Sequence, residues 1–121
     1  MWTWKQAAGE LWRAGGIVAR GYSGLKLGKN NPAMEGAKGV GPIPEGRWRI
    51  VGGPYHSGNT GPYTLALQPE PGTNTFGRGD FRIHGDSIAH PGAASHGCII
   101  LARAVREQIW TSGEREFEIV A

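Results

Sequence analysis

The sequence has few of the residues from which cross-linked or metal-centred folds are built. Its 121 residues include one cysteine, which excludes a disulfide within the chain and excludes zinc-ribbon and iron–sulfur sites. No apolar run approaches the length of a membrane span, and the N-terminal segment lacks the hydrophobic core of a signal peptide. We therefore expect a chain that is made in the cytoplasm without a signal peptide and does not insert into membranes.

Charge runs and low-complexity blocks are also missing. The formal net charge of +3 is a mild bias toward anionic partners, but the lysines and arginines are scattered along the chain. Because no basic cluster is present, we do not expect nucleic acid as a partner. Bacterial peptidoglycan, a carboxylate-rich polymer, suits this charge equally well.

Glycine is abundant where these other features are scarce. The chain has 21 glycines and 8 prolines, far more glycine than the average share of roughly 7%, and they follow no period. This distribution indicates many tight turns between short strands rather than long helices. The length fits a single domain over residues 1–121, and we expect its fold to be mainly β.

Alternating apolar and polar residues predict the strands of this domain. We place them at 2–6, 10–13 (as a hairpin partner), 16–22, 47–51, 63–68, 80–84 and 115–120. Residues 23–45 and 69–79 are predicted as loops, and a loop as long as the first is expected to be functional or to form an active-site rim.

One helix is predicted, beginning near Ala102 and ending before Gly113. Leu101, Val105 and Ile109 share its apolar face, whereas the arginines of this segment, including Arg106, lie off that face.

Cys98 lies in a Ser-His-Gly-Cys segment that follows His84-Gly85 closely. A thiol is a nucleophile only as thiolate, and an ordinary cysteine is only a few per cent ionised at neutral pH. A histidine within hydrogen-bond reach can take its proton, so the pattern predicts Cys98 as nucleophile and His84 as base. The predicted helix start just after Cys98 would favour a thiolate. The alternative is a buried, unreactive cysteine.

The remaining histidines leave two questions open. His84, His90 and His96 are evenly spaced and, with Asp86, resemble a metal-ligand set. The spacing matches no helix or strand face, so we expect no metal. His96 either lines the pocket or helps bind an oxyanion, or it satisfies a loop backbone.

The two motifs together resemble a known family. His-Gly followed by Ser-His-Gly-Cys is similar to the signature of the L,D-transpeptidase catalytic domain (YkuD-like) of bacterial cell-wall enzymes. The short gap between the motifs, together with segments 21–24, 29–32 and 39–46, resembles a narrower group, the type VI secretion L,D-transpeptidase effectors, toxins injected into rival bacteria. The resemblance runs from about Trp2 to Leu101. It implies a compact β-sandwich or barrel-like domain with one short helix after the catalytic cysteine.

The resemblance also implies roles for individual residues. His84 would deprotonate Cys98 while the carbonyl of Gly85 orients the imidazole. Backbone N–H groups around Gly97 and Cys98 would bind the oxyanion, and His96 completes the expected catalytic set. Substrate binding is assigned to Tyr22, Asn30, Arg82, Asp86 and Ser95.

The implied activity is L,D-carboxypeptidase action, exchange of D-amino acids, or both, on peptidoglycan tetrapeptide stems, without a metal or cofactor. Ile100 stands where many of these enzymes carry asparagine or arginine, and the short gap implies a small lid that suits cleavage or exchange. The expected partners are the stem peptide, an immunity protein and type VI delivery components. The expected place of action is the periplasm of a target bacterium.

Three alternatives stay open at this point. The first is a cysteine amidase or endopeptidase that cuts another peptidoglycan bond. The second is a non-catalytic wall-binding module with an inert Cys98. The third keeps the activity but changes the delivery route, for example to a phage particle.

Overall fold

The computed structural model describes residues 1–121 and confirms a mainly β fold with one short helix. The single α-helix, α1, spans Arg103–Thr111, and two 3-10 turns lie at Lys26–Gly28 and Pro32–Met34. The strands are β1 Trp2–Lys5, β2 Glu10–Arg13, β3 Gly16–Arg20, β4 Tyr22–Ser23, β5 Gly46–Ser57, β6 Gly61–Pro69, β7 Arg82–His84, β8 Ile99–Ile100 and β9 Glu116–Val120. No helix is both long and apolar enough to cross a lipid bilayer.

All nine strands belong to one mixed sheet in the order β3-β2-β1-β9-β5-β6-β7-β8-β4. The strands at its two edges, β3 and β4, are consecutive in the chain and are separated only by Gly21. The sheet must therefore curl until its edges come together. The fold is a single curled sheet, open in its hydrogen bonding, rather than a sandwich of two sheets.

Gly21 is the residue that makes this junction possible. Its N–H donates to Gly9 O at 2.9 Å, and a Cβ at this position would lie 2.0 Å from Ile100 O. Any other side chain would force the edges apart, since real Cβ atoms do not approach backbone oxygens so closely.

The core lies inside the curled sheet and follows the alternation of its strands. Trp2 and Trp4 in β1, Trp48 in β5 and Phe117 in β9 are fully buried. Trp48 packs edge-on against Phe81 with ring centroids 5.1 Å apart, a favoured aromatic geometry. Helix α1 adds Ile109 to the same core.

The structure corrects several element boundaries. The predicted strand 16–22 is divided at Gly21, and its two parts lie at opposite edges of the sheet. The predicted strand 47–51 is longer than expected and continues through Gly52-Gly53-Pro54 to Ser57. β8 was not predicted, because a two-residue strand has no period to detect.

Candidate active site

A cavity of about 900 Å³ opens at the end of β7, beside the turn that joins β5 and β6. It brings together the five residues predicted to be catalytic, namely His84, Gly85, His96, Gly97 and Cys98. Of the predicted substrate-binding residues, Arg82 and Asp86 line this cavity, whereas Tyr22, Asn30 and Ser95 do not.

The sheet itself brings the cysteine and the histidine into one place. β7 and β8 are parallel neighbours, with Ile83 opposite Ile99. Both isoleucines are fully buried in the core. His84 is the last residue of β7 and Cys98 directly precedes β8, so core packing fixes where the nucleophile and base lie.

His84 is 4% exposed, and its ring is held by the backbone. Its Nδ1 lies 2.8 Å from Gly85 O. Because a carbonyl oxygen can only accept a hydrogen bond, Nδ1 carries the ring proton and Nε2 is left to accept one. Burial lowers the pKa of His84, and the positive charges of Arg106 and Arg82 add to this effect and outweigh the hydrogen bond to Gly85 O, which acts in the opposite direction. The imidazole is therefore neutral at neutral pH.

Cys98 is half-buried, and its Sγ lies 3.6 Å from Asp80 O. Burial raises the pKa of the Cys98 thiol, although the backbone N–H and the charge of Arg82 act in the opposite direction. The thiol is therefore mainly protonated at neutral pH. Both shifts favour a resting pair of thiol and neutral imidazole over one of thiolate and imidazolium.

The expectation that a helix N-terminus supports a Cys98 thiolate is wrong. α1 begins at Arg103, and β8 lies between it and the cysteine. The effect of a helix dipole falls off within the first turn, and the groups that act to lower the thiol pKa are Arg82 and Arg78.

Two buried serines hold the segment that carries Cys98. Ser95 Oγ accepts hydrogen bonds from Gly24 N and Gly97 N and donates to Cys98 O at 2.6 Å. Ser23 Oγ donates to Gly97 O at 2.8 Å. Ser95 is fully buried, so its assignment to substrate binding is corrected to a role in loop structure.

These contacts also change the expected oxyanion donors. The Gly97 N–H already donates to Ser95 Oγ at 3.0 Å and is therefore occupied. The Cys98 N–H has no partner within the protein. The main-chain donor left for an oxyanion is thus Cys98 N–H, rather than both groups.

Arg78 lies near His84 in the sequence, as Arg82 does, and the sequence left open which arginine near the site would pair with a substrate carboxylate. It is 9% exposed, and its guanidinium donates to four backbone carbonyls, of Glu35, Gly41, Pro42 and His96. It thereby joins the 35–42 loop to the cysteine segment. Its donors are committed to these carbonyls, so it is not the arginine that would bind a substrate carboxylate.

Tyr22 and Asp86 form a hydrogen-bond network that holds the 85–94 loop, and of the two only Asp86 also lines the cavity. Tyr22 Oη donates to Asp86 Oδ1 at 2.6 Å and accepts from Ala94 N at 2.9 Å. Burial and the hydrogen bond to Asp86 raise the pKa of Tyr22 to about 12. Burial would raise the pKa of Asp86, but hydrogen bonds from Tyr22, Gly92 and Ser87 outweigh it and lower that pKa.

The other predicted residues have varied surroundings. Asn30 Oδ1 accepts from Ser23 N at 3.0 Å, which is a structural contact. The exposed His96 ring turns to the neighbouring loop, with Nδ1 2.9 Å from Gly39 O. Arg82 lines the cavity, and its Nε donates to Tyr55 Oη at 2.8 Å.

The long 23–45 loop does not form the cavity rim, which was one of the two roles expected for it. None of its residues lines the cavity. It packs behind the cysteine segment instead, through the carbonyls that Arg78 and His96 contact. No group of three or more His, Cys, Asp or Glu side chains lies close enough together to hold a metal ion.

Comparison with known proteins gives the family. No curated protein matches the chain. The family model described as the Tlde1 domain matches residues 17–120 and so includes both the His84-Gly85 and the Ser95–Cys98 motifs. Since this match covers most of the 121 residues, the chain belongs to the Tlde1-domain family of type VI secretion L,D-transpeptidase effectors.

Proposed function

We propose that the protein is a cysteine enzyme that removes or exchanges the terminal D-alanine of peptidoglycan tetrapeptide stems. The observation that carries the proposal is the arrangement of Cys98 and His84 in one cavity, with the His84 tautomer fixed by Gly85 O. Membership of the Tlde1-domain family supports the choice of peptidoglycan as substrate.

In the proposed reaction, Cys98 Sγ attacks the carbonyl carbon at the L-centre of the third residue of the stem. His84 Nε2 takes the thiol proton as the C–S bond forms, since the resting thiol is protonated. The tetrahedral intermediate then expels D-alanine, and His84 gives its proton to the departing amine. A thioester between Cys98 and the tripeptide remains.

The oxyanion of the intermediate would be bound by the Cys98 N–H, the donor that the fold leaves free. A single such donor is typically worth about 3 kcal/mol in the transition state. Water or a free D-amino acid then attacks the thioester. Water gives the tripeptide, and a D-amino acid gives an exchanged tetrapeptide.

Mass spectrometry of purified tetrapeptide muropeptides tests this proposal. We expect loss of one alanine in buffer and a D-methionine adduct in place of D-alanine when D-methionine is in excess. Loss of a whole peptide would instead indicate an amidase or endopeptidase. Unchanged substrate, together with a thiol that resists alkylation, would favour a wall-binding module.

We further propose that the protein acts in the periplasm of a rival bacterium and that a cognate immunity protein blocks the cavity. The proposed substrate lies in that compartment, and the family consists of type VI secretion effectors. Expression in a sensitive bacterium with and without a periplasmic export signal tests the compartment. Toxicity only in the exported form supports the proposal, and toxicity only in the cytoplasm contradicts it.

A further inference from the structure

Arg106 is a buried cation beside the candidate active site, and the reaction described above gives it no part. It lies on α1, is 5% exposed and lines the cavity that holds Cys98 and His84. No carboxylate pairs with it. A buried charge without a counter-charge is costly, so its presence here calls for a partner.

The backbone fixes most of the Arg106 guanidinium. Nε donates to Leu101 O at 3.0 Å, and Nη1 donates to Pro62 O at 2.8 Å and Tyr63 O at 2.9 Å. Nη2 has no hydrogen-bond partner in the protein. It lies against Gly85, where a Cβ would be only 2.8 Å from it. The side chain is thus locked in position with one terminal nitrogen unused.

The unused nitrogen is on the His84 side of the site. Nη2 lies against Gly85, and the carbonyl of the same residue holds His84 Nδ1 at 2.8 Å. The charge of Arg106 is also among the causes that lower the pKa of His84. Arg106 is therefore placed beside the group that would protonate the leaving amine.

We propose that Arg106 Nη2 binds the C-terminal carboxylate of the amino acid that leaves, which makes Arg106 a specificity-determining residue. This inference rests on the proposed function. In a single departing amino acid, the carboxylate is attached to the same carbon as the amine that His84 protonates, so a cation beside His84 is suitably placed for it. A D-amino acid that enters as acceptor carries the same carboxylate. The site then selects peptides that end one residue after the cleaved bond.

The test compares a tetrapeptide that has a free C-terminus with the same peptide amidated at its C-terminus. Binding is measured by calorimetry to the Cys98→Ala protein, which cannot turn either peptide over. We expect the free acid to bind about 10- to 100-fold more tightly, as for a hydrogen bond to a charged group. Arg106→Gln should remove most of this preference.

Two further variants separate recognition from folding. Arg103→Gln makes the same charge change on the exposed side of α1, away from the cavity, and should keep the preference. Gly85→Ala would place a methyl group 2.8 Å from Nη2 while keeping the arginine itself, so it should reduce the preference even if Arg106→Gln fails to fold.

The outcomes of this test are distinct from those of the proposed function. Equal binding of acid and amide, no binding of the acid, or a preference that survives both Arg106→Gln and Gly85→Ala would overturn the role of Arg106. If the acid is preferred but the wild-type protein releases no alanine, the carboxylate site stands and the proposed reaction fails. If alanine is released but the acid is not preferred, the proposed reaction stands and the carboxylate site fails.

Discussion

At the scale of single residues, the nucleophile and base are tuned toward their neutral forms. Burial raises the pKa of the Cys98 thiol and lowers the pKa of His84. Both shifts act against a resting ion pair. The proton must therefore move during attack on the substrate, and a small thiol reagent should find Cys98 less reactive than the free thiolate of an activated cysteine.

The first prediction concerns the pH dependence of these two groups. The rate of Cys98 alkylation by iodoacetamide should rise only above about pH 8.5, the ordinary value for cysteine, because the native thiol holds its proton more tightly. In contrast, kcat/KM for the tetrapeptide should fall only below about pH 6.5, the ordinary pKa of histidine. The reason is that His84 must be neutral to accept a proton and that its pKa is lowered. Alkylation that is already half-maximal below pH 7 would show a resting thiolate and contradict this account.

The second prediction concerns Gly97, whose backbone and surroundings both require glycine. Its φ is +139°, and a Cβ would lie 2.6 Å from Arg78 Nη2 and 2.8 Å from a Phe81 ring carbon. Gly97→Ala should lower the free energy of unfolding by about 1–3 kcal/mol, measured by urea denaturation. Gly58, where a Cβ would meet nothing within 4 Å, provides the control, and Gly58→Ala should change stability by less than about 0.5 kcal/mol. Equal effects of the two substitutions would refute this reading of Gly97.

At the scale of elements, the conformation of the 85–94 loop is held by a side chain that lies more than 60 residues earlier in the sequence. Tyr22 in β4 joins both ends of the loop, through Asp86 near its start and Ala94 at its end. Lys29 Nζ lies 4.6 Å from the centroid of the Tyr22 ring, within cation–π range. Edge strand β4 therefore orders the loop that forms one wall of the cavity.

The third prediction is that Tyr22→Phe loosens this loop without unfolding the protein. The substitution removes the hydroxyl that bonds Asp86 and Ala94 and keeps the aromatic ring. Amide hydrogen exchange in residues 85–94 should quicken by about tenfold, as expected for the loss of a hydrogen bond to a charged group. Tyr63→Phe is the matched control, because no hydrogen bond involves the Tyr63 hydroxyl. If the loop exchanges at the same rate in both variants, Tyr22 does not order it.

At the scale of the whole molecule, the two ends of the chain meet in the middle of the sheet. β1 and β9 are parallel neighbours, with Trp2 opposite Phe117, and their rings stack with centroids 6.4 Å apart. β9 also pairs with β5. The sheet therefore cannot be complete until the last strand has been made.

The fourth prediction follows from this central place of β9. Phe117 is fully buried, so Phe117→Ala should lower the free energy of unfolding by about 3–5 kcal/mol. Phe76, which is 45% exposed, is the control, and Phe76→Ala should cost no more than about 1 kcal/mol. Thermal and urea unfolding monitored by circular dichroism measure both. A Phe117→Ala protein as stable as the control would contradict the claim that the pairing of β1 with β9 stabilises the fold.

Sequence periodicity predicted the parts of the fold where it extends over several residues. The alternation in Trp2–Lys5 and Glu10–Arg13 was sufficient for the first hairpin, which the structure confirms. Alternation could not predict β8, because that strand has only two residues, and it could not predict the break between β3 and β4 at Gly21. That break follows from the position of Ile100 in space, and sequence spacing carries no information on it.

The candidate site was predictable to a similar extent. The motifs located Cys98 and His84, and the structure brings both to one cavity. The places of Arg78 and Arg106 were not predictable, because each is defined by carbonyls from distant segments. The same reason explains why Ser95, assigned to substrate binding, is buried within the loop instead.

The most direct test of the central claim, that Cys98 is the nucleophile, is the rate of alanine release from purified tetrapeptide by the wild-type and Cys98→Ala proteins. Product is followed by mass spectrometry, and circular dichroism verifies that both proteins are folded. We expect tripeptide formation by the wild-type protein and none above background by Cys98→Ala. Tripeptide formation at an undiminished rate by folded Cys98→Ala protein would contradict it.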